Sequence, residues 1–121
     1  MDVKSSMAAA MSIEGAVAVA LVDWTSGMTL DFAGGNAMFN IELAAASNSQ
    51  VVKAKLQVIK TLNLNDSIED ILITLGKQYH LIRPVRKDMK LFFYLVLRRD
   101  QGNLALARYK LRGIESELEM K

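Results

Sequence analysis

The sequence predicts a three-layer α/β domain, and three observations predict it. The segment KLFFYLVLRR, residues 90–99, is apolar at every position from Leu91 to Leu97. A strand of that kind is covered on both faces, which takes layers above and below its sheet. A helix-length segment, residues 40–62, carries two apolar stripes: Ile41, Ala45, Val52, Leu56 and Ile59 on one side, and Leu43, Val51, Ala54, Val58 and Leu62 on another. It has two surfaces to bury. At 121 residues, 51% hydrophobic and 23% charged, the chain is long enough for one core and too short for two, so residues 1–121 read as a single domain.

Each element follows in order. Residues 3–12 can form a short first helix. GAVAVALVD, residues 15–23, is a near-continuous apolar run of strand length. WTSG then turns the chain into MTLDFA, with Gly27 free to take positive φ, which reads as a hairpin. Gly34-Gly35-Asn36 ends the second strand. Asn40 is placed to cap the long helix, with Phe39 as the preceding staple and Glu42 near the positive end of the helix dipole. That helix runs to Leu62, roughly 33 Å at 1.5 Å per residue, before NLND breaks it.

Three strands follow: SIEDILITL, then QYHLIRPV after the Gly76-Lys77 turn, then the doubly apolar segment after Lys87-Asp88. In the first of these, Ile71, Ile73 and Leu75 point one way and Ile68 and Leu72 the other. Asp100 can cap a last helix whose narrow stripe is Leu104, Ala107, Leu111, Ile114 and Leu118.

Within the long helix, ELAAASNSQVV places Ser47, Asn48 and Ser49 where better helix formers would be easy to place. A second copy of the same helix would cover the second stripe, and small residues let two backbones approach at a two-fold crossing. On that reading residues 44–49 lie at the crossing with Asn48 near the axis. The alternative is that these small residues fit beneath the helix against its own sheet.

Chemistry is sparse. With no cysteine there are no disulfides, thiolate metal sites or cysteine nucleophiles, and a reducing, cytoplasmic setting is expected. The apolar stretch MAAAMSIEGAVAVALV is interrupted by Glu14 and preceded only by Lys4, so it is not read as an export signal. No run reaches the ~18 apolar residues of a membrane span, and no membrane insertion is expected. His80 is the one histidine, expected as a half-buried strand residue with a satisfied ring nitrogen rather than as part of a Ser-His-Asp system.

Glu69 and Asp70 are strand neighbours on opposite faces, and Glu115 and Glu117 do not share a helix face, so neither is a catalytic pair. Gly76-Lys77 lacks the rest of a phosphate loop. No enzyme activity, cofactor or metal is expected. Trp24, in the hairpin turn, is expected to fold back on the first helix, and Met7, Met11 and Met38 to serve as core or interface filler.

Net charge is only +2, yet residues 77–112 carry +8 and the rest −6. The plain reading is a set of solvated positions; the sharper one is a face around Arg86, Lys87, Arg98 and Arg99 that meets an acidic partner. Tyr79, Phe92, Phe93, Tyr94 and Tyr109 amid these bases could imitate an RNA-binding sheet. A strand covered on both faces argues against that, and nucleic acid is not expected as a partner.

The ordered set IEGAVAVALVD…SG, FNIELAAASNSQVVKAK and LALARYKL, over residues 13–118, resembles the roadblock/dynein light chain family. This resemblance implies a profilin-like α/β/α sandwich around a five-stranded antiparallel sheet in the order 2-1-5-4-3. It also implies a homodimer whose third strands, here residues 68–75, pair edge to edge while the long helices pack side by side. Ile41, Ala45, Asn48, Val52, Ile68, Glu69, Ile71 and Ile73 are the expected dimer contacts. The family's members are non-enzymatic, acting as scaffolds or regulators for small Ras-like GTPases, as dynein light chains, and as partners of such GTPases in bacterial polarity and motility. The expected partner-facing residues are Gln50, Lys53, Gln57 and Lys60, on the exposed side of the long helix.

Overall fold

The computed structural model describes residues 1–36 and 39–120. Ala37, Lys121 and the expected filler Met38 lie outside the described residues. The elements run α1 (Val3–Met11), β1 (Ala16–Asp23), β2 (Met28–Gly34), α2 (Ile41–Thr61), β3 (Ile71–Thr74), β4 (Gln78–Pro84), β5 (Leu91–Arg98) and α3 (Leu104–Glu117). The strands form one antiparallel sheet in the order β2-β1-β5-β4-β3, which leaves β2 and β3 as its edges.

Alternation along the central strand divides the core in two. Leu91, Phe93, Leu95 and Leu97 of β5 join Val19 and Leu21, beneath Met7 and Ala10 of α1, Ala107 and Leu111 of α3, and Leu118 just past its end. Phe92, Tyr94 and Val96 point the other way, onto Ile41, Ala45 and Val52 of α2. The architecture is a three-layer α/β/α sandwich with α1 and α3 on one face and α2 on the other.

Local chemistry accounts for the element ends. Asn40 Oδ1 accepts from the Leu43 amide at 3.0 Å and so caps α2 as its sequence position implies. Gly27 takes φ +76 in the β1–β2 turn, a conformation that a side chain disfavours. α3 differs from expectation, because its cap is Asn103, whose Oδ1 accepts from the Leu106 amide at 3.0 Å. Asp100 instead lies three residues before that cap and is held bidentately by Arg98, at 2.7 and 3.1 Å.

β3 is also shorter than the expected residues 68–75. Its ladder with β4 starts at Ile71 opposite Ile82. Two residues further along β4 stands Pro84, which has no amide hydrogen with which to continue a ladder. Trp24 does not fold onto α1. It packs on the α2-side cluster, and its indole Nε1 donates to the Met89 carbonyl at 2.7 Å, which ties the first hairpin to the β4–β5 turn.

A buried ion pair joins the sheet to α3. Arg83 Nε lies 3.1 Å from Glu115 Oε1, with side-chain exposures of 6% and 3%, and the Arg86 amide donates to Glu115 Oε2 at 3.3 Å. The last turn of α3 has no basic residue of its own. Cations from elsewhere answer its free carbonyls: Lys87 Nζ donates to Ser116 O and Leu118 O at 3.0 and 3.3 Å, and the Met1 amine to Glu117 O at 2.7 Å.

Candidate interaction surfaces

α2 decides what the molecule can offer a partner. Ile41, Ala45, Ser49 and Val52 are its buried positions, closed against the chain's own sheet. Three of the expected dimer contacts, Ile41, Ala45 and Val52, lie in the core of the single chain. Ala45 shares its cluster with Ala18 and Ala20 of β1, and Ser49, one turn on, is buried too, so small residues lie beneath the helix on its own sheet. Ser49 Oγ is buried with no hydrogen-bond partner.

Asn48 likewise turns inward, half-buried, with an amide hydrogen on Ala44 O at 2.8 Å. Near it runs a directed chain of hydrogen bonds. The Tyr94 hydroxyl lies 2.9 Å from His80 Nδ1, and His80 Nε2 lies 2.9 Å from Gln78 Oε1. A carbonyl oxygen can only accept, so the His80 proton sits on Nε2, and Nδ1 accepts from Tyr94. Burial pushes the His80 pKa below 6.5 and the Tyr94 hydroxyl up to about 12, the latter opposed by the hydrogen bond from Asn48. Both His80 nitrogens are satisfied, where the sequence reading expects one.

The second apolar stripe of α2 is the one left open. Leu62 is 62% and Val58 42% exposed, with Val51 and Leu43 exposed beside them. Val58, Ile59 and Leu62 line a groove of about 610 Å³ with Ile68, Asp70 and Ile71, so this flank looks toward the β3 edge. Gln50, Lys53, Gln57 and Lys60 share the opposite flank by helical spacing, with Lys53 half-buried and the others exposed.

On β3 itself, Ile71 and Ile73 face the α2 side, half-buried, and Leu72 faces the other side opposite Leu81. The Leu75 amide donates to Gln78 O at 2.8 Å. By strand alternation the amides of Ile73 and Ile71 also point at β4, while those of Leu72 and Thr74 point out of the sheet. Ile68 and Glu69 precede the strand, Ile68 in the groove wall and Glu69 paired with Arg86 at 3.3 Å.

The basic face is largely spoken for. Arg98 is held by Asp100, Arg86 by Glu69 and Lys87 by the end of α3, while Arg99 donates to Leu75 O at 2.9 Å and stacks over Tyr79. Arg108 pairs with Asp70 at 2.9 Å, and that carboxylate pushes its pKa further up. Phe92, Phe93 and Tyr94 are fully buried, so the sheet presents none of these rings for a base to stack on. Among the described residues, no group of three or more His, Cys, Asp or Glu could hold a metal ion, and no helix is long and apolar enough to cross a membrane.

Solved structures share this arrangement. A roadblock/LC7 domain from Streptomyces avermitilis superposes with a TM-score of 0.80 over 96% of this chain and 93% of that one, at 10% identity. The chain has the roadblock/LC7 fold. MglB of Myxococcus xanthus shows the same roadblock fold at a TM-score of 0.80, 16% identity and coverage of 95% and 92%. MglC of the same organism matches at 0.59, 20% identity and coverage of 94% and 93%. No family model and no curated protein sequence matches the chain.

Proposed function

We propose that this chain is a non-catalytic, cytoplasmic platform that works as a homodimer and binds a small Ras-like GTPase or a related signalling or motility assembly. The observation that carries the reading is the adjacency of the open β3 edge and the apolar flank of α2. Ile71 of that edge lines one groove with Val58 and Leu62, and the Leu72 and Thr74 amides point out of the sheet, so one two-fold approach would pair the strands and cover the helices together. In this arrangement the second copy meets Val51, Val58 and Leu62 on α2, with Ile68, Glu69, Ile71 and Ile73 at the strand edge. Residues Ile41, Ala45, Asn48 and Val52 hold the helix to its own sheet.

The GTPase assignment draws on the sequence resemblance and on the fold shared with MglB and MglC. Gln50, Lys53, Gln57 and Lys60, on the flank of α2 away from the second copy, are its contact residues. The test is capture of a small Ras-like GTPase, loaded in turn with GDP and a non-hydrolysable GTP analogue, by the immobilised protein. Retention that depends on nucleotide and falls on Lys53→Glu with Lys60→Glu supports a GTPase platform. Retention that ignores nucleotide state points to a purely structural scaffold, and no retention removes the GTPase reading.

A further inference from the structure

The opposite edge of the sheet is built differently. β2 exposes Phe32 at 42% and Leu30 at 41%, with Met28 more exposed still. The Gly35 amide donates to Val17 O at 3.0 Å, so by alternation the amides of Ala33 and Asp31 point at β1 and those of Phe32 and Gly34 point out of the sheet. The outward Phe32 amide does not go unanswered. Asp31 Oδ1 accepts from it at 2.8 Å and takes the place of a neighbouring strand's carbonyl as its acceptor. Asp31 also lines a groove of about 530 Å³ with Leu30, Asp2, Lys4 and Glu119, in which carboxylates outnumber bases.

We infer that the β2 edge is a docking site for an extended segment of a partner protein, one that adds as a strand and carries a lysine or arginine opposite Asp31. Once Phe32 and Gly34 bond to an added antiparallel strand, Asp31 falls in a non-hydrogen-bonded pair, where facing side chains come closest. A base at that position draws the carboxylate away and frees the Phe32 amide for the new ladder. Apolar residues flanking the base on the other face of the added strand cover Phe32, which lies on the α2 side opposite Ala20.

A second copy of this chain fits poorly. Pairing two β2 strands about Asp31 or Phe32 sets the two Asp31 carboxylates directly opposite or diagonal on one face, where like charges destabilise. The site is independent of the β3 edge and of the GTPase reading.

The probe is a short blocked peptide alternating valine and threonine with a central lysine, compared with the same peptide carrying glutamate there. Binding to the full chain is followed through the backbone amide resonances of the labelled protein. The lysine peptide is expected to bind about tenfold more tightly than the glutamate peptide, with the Phe32 and Gly34 amides shifting and gaining exchange protection. Asp31→Asn should level the two affinities. Phe32→Pro, which removes an amide that β1 does not use, should abolish binding with the circular dichroism spectrum unchanged. If that variant fails to fold, the amide map of the parent chain decides. Equal affinity for the two peptides, shifts confined to β3, or no shift on β2 at saturating peptide would each overturn the assignment.

Discussion

Asn48, Tyr94, His80 and Gln78 show how one side chain's choice of partner propagates. Tyr94 donates to His80 and His80 to Gln78, so a proton added at His80 Nδ1 would set a second donor against the Tyr94 hydroxyl. The fold therefore prefers neutral His80, and burial already lowers its pKa from 6.5. Below that value the unfolded chain takes up a proton that the folded one resists. Stability should be complete above pH 6.5 and decline as pH falls from there through the folded value. Urea midpoints across this range should show the slope, and His80→Asn should flatten it; equal slopes would refute the preference.

Tyr94 has the opposite sign, its stabilisation holding below pH 10 and disappearing as pH rises through about 12. At the Arg83–Glu115 pair, Glu115→Ala leaves a buried guanidinium uncompensated and should cost about 3–5 kcal/mol by urea unfolding. Replacing both residues together with leucine or methionine should restore most of that loss.

Among the elements, α2 separates what sequence can reveal from what it cannot. Its extent, its Asn40 cap and its two apolar stripes are all legible. Which stripe faces inward is not, because periodicity records the angle between stripes and not the direction of the sheet. Small Ala45 on one stripe, in one cluster with Ala18 and Ala20 of β1, is the signal that points inward. Ser49 then carries a direct prediction. Its hydroxyl is buried and unpartnered, and serine is a poorer helix former than alanine. Ser49→Ala should raise stability by about 1 kcal/mol, read as a higher urea midpoint with unchanged slope. A loss of stability would mean that a bound water satisfies Oγ. β3 is shorter than its pattern for a separate reason: Ile68-Glu69-Asp70 reads as strand, but the ladder needs an amide that Pro84, on the neighbouring strand, does not have.

At the scale of the whole molecule, five strands, three helices and a core on both faces of β5 follow from apolar patterning. The strand order rests on the resemblance, since patterning along a strand is silent about its neighbours. That order places two open edges at opposite sides of the sheet, and their outward amides allow the two uses to be separated. Thr74 on β3 and Phe32 on β2 each carry an amide that points away from the sheet, so proline at either site spares the protomer's own ladder. Light scattering over a dilution series should give the parent chain a mass near twice 13.4 kDa. Thr74→Pro should shift it toward the single-chain mass, as should Val58→Lys, which sets a charge on the apolar flank of α2. Phe32→Pro should leave the dimer intact. A dimer that survives Thr74→Pro and Val58→Lys but dissociates with Phe32→Pro would exchange the roles of the two edges, and a parent chain that is monomeric throughout would leave the exposed α2 flank to a different protein.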